Sequence, residues 1–163
     1  MVLDSSVLLG ANSRLVVGGA ALGYYKAFWS SWIIAEYARV RTQWVIERAG
    51  HDLADRVEMS RRLAASRAKI NSAIDRFSRI LDSVDYHAAP QADLSWLSDL
   101  DDRPIMATAL AAHADALVTE NVHDFPLGEE RNGVLLLNSG AFLTMLYQVR
   151  PEAEGALRDY LAT

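Results

Sequence analysis

Short apolar runs alternate along this chain with longer stretches of helical periodicity. Met1–Leu3 reads as a very short strand entering Asp4-Ser5-Ser6; Val7 to Leu9 extends the apolar character, and Gly10-Ala11-Asn12-Ser13 signals a turn. Leu15–Leu22 fits a short helix, although Gly18-Gly19 weakens it. Aromatic-rich Tyr24–Trp29 reads as a strand. Ser30 or Ser31 can cap a helix over Trp32–Arg48, which places Ile33, Tyr37, Val40 and Trp44 at helical spacing and stops at Gly50. Residues 53–82 form a second helical region with an Ile70, Ile74, Phe77, Leu81 stripe, and Val84–His87 a brief strand.

Leu94–Leu100 reads as a short helix. Asp101-Asp102-Arg103-Pro104 then supplies an acidic cap and a first-turn proline for an alanine-rich helix over Ile105–His113. Ala116–Val118 is a short buried strand, and Phe125-Pro126 with Gly128 marks a loop. Gly133–Leu137 is a further strand, Ala141–Val149 a helix broken by Pro151, and an amphipathic segment runs through Leu157, Tyr160 and Leu161. Short apolar strands alternating with helices predict a parallel sheet covered on both faces. With 163 residues, no internal repeat and no dividing linker, one domain over 1–163 is expected.

Composition narrows the chemistry. The absence of cysteine excludes disulfides, thiolate metal sites and cysteine nucleophiles, and fits a reducing cytoplasm. Asp4 interrupts the opening apolar run and no basic region precedes it, so no export signal is expected. Leu15–Tyr25 is too short to span a bilayer, and a soluble protein follows. Net charge is −5, yet residues 39–79 hold ten of the 16 Lys+Arg against five acids, a segment of +5 in a remainder of −10. That split is either an electrostatic footprint for a polyanion or a solvated helical face.

In open α/β folds sites gather beyond the carboxyl ends of strands, and four acids invite attention against that rule. Asp4 and Asp124 follow predicted strand ends, Asp102 opens a helix, and Glu36 shares an apolar helical face with Ile33 and Val40. An ionised carboxylate on such a face is unfavourable unless something positive meets it. Each has an ordinary alternative: an arginine-paired Glu36, capping or turn roles for Asp4 and Asp102, and a loop role for Asp124.

Their order adds meaning. Val2-Leu3-Asp4-Ser5-Ser6-Val7-Leu8, Ser31-Trp32-Ile33-Ile34-Ala35-Glu36, Asp102-Arg103-Pro104-Ile105-Met106-Ala107-Thr108-Ala109 and Leu117-Val118-Thr119-Glu120-Asn121-Val122-His123-Asp124-Phe125-Pro126 together resemble the PIN-domain family. The likeness runs from near the first residue to Phe142-Leu143. It implies a PIN-like three-layer α/β/α sandwich with a short, mainly parallel central sheet. It also implies a metal-dependent ribonuclease similar to the VapC-like toxins of toxin–antitoxin pairs, acting on RNA, pairing as a homodimer and blocked by a cognate antitoxin. Asp4, Glu36, Asp102 and Asp124 would be catalytic and metal-binding, with Asp101 as a lesser alternative to Asp102. Ser6, Thr119 and Asn121 would support them. Many members carry aspartate where Asn121 stands; the pattern here is similar to a subgroup with Thr-x-Asn-x-x-Asp-Phe-Pro. That departure keeps open a catalytically degenerate module that binds RNA or protein.

The chemistry asks for such residues. Attack by water on an anionic phosphodiester builds more charge, and Mg²⁺ or Mn²⁺ on clustered carboxylates can carry it. Arg39, Arg41, Arg61 and Arg62 are candidates for phosphate contacts. Trp29, Trp32, Trp44 and Trp96 could stack bases, although core or dimer-interface packing suits most of them better; Trp29 and Trp32 are the interface candidates, since PIN-like proteins commonly pair. His51, His87, His113 and His123 lack zinc spacing, and no phosphate loop or Gly-x-Ser-x-Gly elbow is present. A phosphatase would place aspartate where Ser6 stands, and a receiver needs a strand-end lysine, absent after Lys69.

Overall fold

A computed structural model describes residues 1–49 and 56–162. Gly50, His51 and the expected start of the second helical region, residues 53–55, lie outside them.

In chain order the elements are β1 (Val2–Leu3), α1 (Ser5–Leu9), α2 (Ser13–Ala21), β2 (Phe28–Trp29), α3 (Ser31–Ala49), α4 (Arg56–Phe77) and β3 (Asp82–Ser83). Two single 3₁₀ turns follow, Tyr86–Ala88 and Leu100–Asp102. Then come α5 (Arg103–Ala111), β4 (Ala116–Val118), β5 (Glu130–Arg131), β6 (Val134–Leu137), α6 (Ser139–Val149) and α7 (Glu152–Ala162).

The strands form one sheet in the order β3-β2-β1-β4-β6-β5, parallel except for the β5–β6 pair. Val2 lies opposite both Phe28 and Leu117, so β1 is central. The chain winds outward from β1 to β3 and then returns to the other side of β1 as β4. The order therefore reverses between β1 and β4, and loops leaving their carboxyl ends diverge to leave a crevice. Val2, Leu3, Leu117, Val118 and Leu136 are wholly buried, which is why these strands read as continuous apolar runs. Among the described residues seven helices flank this mainly parallel sheet, as expected of a PIN-like α/β/α fold.

Several local expectations need correction. Val84–His87 is not a strand: the edge strand falls at Asp82–Ser83, and Asp85 caps a 3₁₀ turn by accepting from the His87 amide. Leu94–Leu100 is not a helix. Asp93 accepts from the Ser95 amide and Asp99 from the Asp101 amide, so aspartate turns take the segment while Leu97 fills the core. Val7–Leu9 lies in the short helix that Asp4 starts, and the β5 strand was not foreseen. Trp29, a candidate for an interface, is 1% exposed and belongs to the core, edge-on to Phe77.

Candidate active site

Asp4 ends β1 and begins α1 at once. Its amide donates to the Val118 carbonyl of β4 at 3.0 Å, continuing the sheet by one rung, and its own carbonyl receives the Val7 and Leu8 amides. The side chain is buried and its oxygens are heavily used. One accepts from the Ser5 amide (2.6 Å); the other accepts from the Ser6 hydroxyl (2.6 Å) and the Thr119 hydroxyl (2.7 Å). The residue that caps α1 is thus also the one the sequence marks as a candidate site residue.

Thr119 occupies the matching place after β4. It is wholly buried, and its hydroxyl also accepts from the Asn121 amide at 3.0 Å. Ser6 accepts from the Glu120 amide at 2.9 Å, so β1 and β4 are stitched together just beyond the sheet. Glu120 itself turns away, its carboxylate receiving the Ser139 amide at the start of α6.

Glu36 reaches the same end from the second turn of α3. The Ser5 hydroxyl donates to it at 2.8 Å, and Arg39 lies 3.8 Å away. Burial pushes its carboxyl above the usual range, with Asp4 and Asp101 adding repulsion that Ser5 and Arg39 partly offset. Ser5 was not singled out in the sequence. An unremarkable serine after an aspartate gives no signal of a partner 31 residues away.

Asp102 opens α5, with Pro104 in the first turn, but its side chain caps nothing. It faces the crevice and is 7% exposed. Its carboxyl is pushed up to about 7, first by burial and then by Asp124, Asp99, Asp4 and Glu36. Asn121 explains the contact with Asp124. Its amide nitrogen donates to Asp102 at 3.2 Å and to Asp124 at 3.0 Å, while its oxygen accepts from the backbone amides of His123 and Asp124. Two N–H groups thus bridge two carboxylates. Ser98, also missed in the sequence, donates to the other oxygen of Asp124 at 3.1 Å.

The four acids therefore meet electrostatically at the crevice, from residues spread over 121 positions. Among the described residues, no three acidic or histidine side chains are drawn tightly enough to make a ready-made metal cage. The donor set nonetheless suits a hard divalent cation: carboxylate oxygens only, mutually repelling, with hydroxyls behind them.

The arginine candidates separate. Arg39 stands beside Glu36. Arg41 lies over the Trp44 ring at 5.8 Å, and Arg62 pairs with Glu58 at 2.9 Å. Both line a cleft of about 360 Å³ between α3 and α4, with Trp44, Arg48 and Lys69. Arg61 is exposed on α4. No helix among the described residues is long and apolar enough to cross a membrane. No curated protein and no solved structure matches the chain. A family model described as PIN domain matches residues 1–123, the span that carries Asp4, Glu36, Asp102, Thr119 and Asn121. On that match the chain belongs to the PIN-domain family, whose members are generally nucleases.

Proposed function

We propose that this protein is a metal-dependent endoribonuclease in which Asp4, Glu36, Asp102 and Asp124 hold Mg²⁺ or Mn²⁺ at the carboxyl ends of β1 and β4. The observation that carries the reading is Asp102. A buried aspartate whose carboxyl is lifted to about 7 by burial and by four neighbouring acids is an unfavourable concentration of charge. Folds tolerate such a concentration where a site uses it.

When bound, divalent cations would activate water and stabilise the leaving oxygen of the phosphodiester. The chain's own residues set the frame. Ser5, Ser6 and Thr119 fix Asp4 through three hydrogen bonds, leaving it little freedom to turn. Ser5 orients Glu36, and Asn121 with Ser98 orients Asp124. Asn121 uses its oxygen on backbone amides, which favours Asp124 over Asn121 as the fourth ligand. Water is the nucleophile, and no side chain forms a covalent intermediate.

Phosphates approach through Arg39, Arg41, Arg61 and Arg62, so binding weakens with salt. By family resemblance the chain acts as one PIN-like domain over 1–163, the toxin of a toxin–antitoxin pair. It would work in the cytoplasm as a homodimer, restrained by a cognate antitoxin. A second reading, a degenerate PIN module that binds RNA or protein, is favoured by one observation: an amide at Asn121 bridges the acids where a carboxylate would add charge.

The test is cleavage of end-labelled single-stranded RNA by the full chain with Mn²⁺ or Mg²⁺, against Asp4→Asn and Asp102→Asn. Both variants should fold, by circular dichroism, and lose cleavage at least hundredfold. A parent that cuts nothing with either ion, or variants that cut like the parent, would remove the nuclease reading.

A further inference from the structure

Beside Glu36 the surface opens into a small cavity of about 260 Å³ lined by Trp32, Ala35, Glu36, Arg39 and Asp101. Of its walls only Glu36 belongs to the proposed cation ligands, so the cavity adjoins that cluster and shares Glu36 with it. Its volume falls below the roughly 300–1,000 Å³ usual for drug-sized ligands and is on the scale of one planar ring system.

The walls are set rather than loose. The Trp32 indole donates from Nε1 to the Asp101 carbonyl at 3.1 Å, and its ring rests edge-on against Tyr86 with centroids 6.3 Å apart. The polar edge of the indole is thus occupied, and the half-buried ring is held at the cavity wall. Arg39 lies two turns beyond Trp32 along the same face of α3, its guanidinium 3.8 Å from Glu36 and its side chain 65% exposed. Asp101 is exposed at the cavity, so its carboxylate can exchange bound water for a hydrogen bond from a ligand. A fixed aromatic face, a cation and a free acceptor around a slot of this size match the needs of a nucleobase. The base would stack on the ring, the neighbouring phosphate would meet the guanidinium, and an exocyclic amino group would meet the carboxylate.

We propose that this cavity receives the base of the nucleotide flanking the scissile phosphate, stacked on Trp32, and that Asp101 favours bases carrying an amino group. The site takes its substrate class from the nuclease reading. It goes further in naming the residues that choose where the strand is cut. Trp32 and Asp101 are specificity-determining residues, set beside the proposed cation ligands.

The experiment measures fluorescence anisotropy of 5′-labelled hexanucleotides of A, C, G and U with the full chain in EDTA, so that binding is read without turnover. The parent should bind the A, C and G oligomers more tightly than the U oligomer, which lacks an exocyclic amino group. Trp32→Ala should weaken the favoured oligomers about tenfold, in line with the loss of one base stack. Trp32→Phe should recover most of that loss, and Asp101→Asn should flatten the preference among bases. Circular dichroism melts confirm that each variant is folded. A parent that binds none of the four, or a Trp32→Ala variant that binds all four like the parent, overturns the proposal. Cleavage of the same oligomers with Mn²⁺ is scored separately. Trp32-dependent binding without cleavage would sink the nuclease reading and leave the base site standing. Cleavage with binding indifferent to Trp32 would do the reverse.

Discussion

The crevice beyond β1 and β4 and the paired helices α3 and α4 carry opposite charge, and they are built on different principles. In the crevice, polar groups reach across the chain: Ser5 to Glu36 over 31 positions, Thr119 to Asp4 over 115, Asn121 to Asp102 over 19. Further along α3, past Glu36, and on α4 the polar contacts are local, one helical turn apart, as in Gln43 to Glu47 and Arg62 to Glu58. Long-range wiring among buried acids makes every member matter to its neighbours. Local pairs on an exposed surface matter mainly to whatever approaches it.

The sharpest way to break that contrast is Asp102→Asn. Removing the charge relieves first the cost of burying a carboxylate and then repulsion from Asp124, Asp99, Asp4 and Glu36. The metal-free variant should therefore be more stable than the parent at pH 7.5, by about 2 kcal/mol, while cleavage falls at least hundredfold. Chemical denaturation in EDTA paired with an RNA assay checks both, and a variant that loses stability as well as activity would remove the idea of stored repulsion.

Next in size is Thr119→Val. It leaves the Asn121 amide without its hydroxyl partner and takes one of three donors from Asp4. A loss of about 1–3 kcal/mol is expected in a denaturant midpoint, since both groups are shielded from water. A change under half a kcal/mol would show that the stitching is incidental.

The pH dependence follows from the raised carboxyls. Asp102 binds its proton up to about pH 7 in the folded chain, but only to the ordinary carboxylate range when unfolded. Between about pH 4 and pH 7 the native state holds more protons than the unfolded one, so the slope of stability against pH is negative for this group. Glu36 acts in the same direction. Metal-free protein should therefore lose this contribution as pH rises to 7, and Asp102→Asn should flatten the decline. Melting curves at stepped pH measure it.

The smallest effect belongs to α4. Arg62→Ala removes one exposed pair and should change stability by less than about half a kcal/mol. If the cleft with Trp44 meets phosphate, the same substitution should shift the salt dependence of RNA binding, and an unchanged slope would restrict phosphate contacts to other arginines.

Much of this was visible in the residues alone, for a physical reason. Strands buried on both faces are continuous apolar runs, and Val2-Leu3 and Ala116–Val118 announced themselves that way; the acids directly after them were readable as strand-end positions. What stayed hidden depended on partners. β3 consists of two exposed polar residues that are strand only because Phe28 and Trp29 lie alongside. The segment around Leu97 carries enough apolar residues for a helix, yet Asp93 and Asp99 bind nearby amides and turn it instead. Asn121 showed itself as a departure from the usual aspartate. Its role as a bridge between two carboxylates required knowing that Asp102 and Asp124 face one another.

The family match stops at residue 123, but the hydrophobic interior does not. Phe125, Leu136, Phe142 and Leu157 are all buried, and Gly18 of α2 lies so near Leu157 and Tyr160 of α7 that even a methyl group there would crowd them. A fragment cut at the edge of the recognised segment would lose the strand beside β4 and the helices that lean on α2. The recognised segment is therefore shorter than the packed interior, and a fragment ending at residue 123 should unfold more readily than the full chain in a thermal melt.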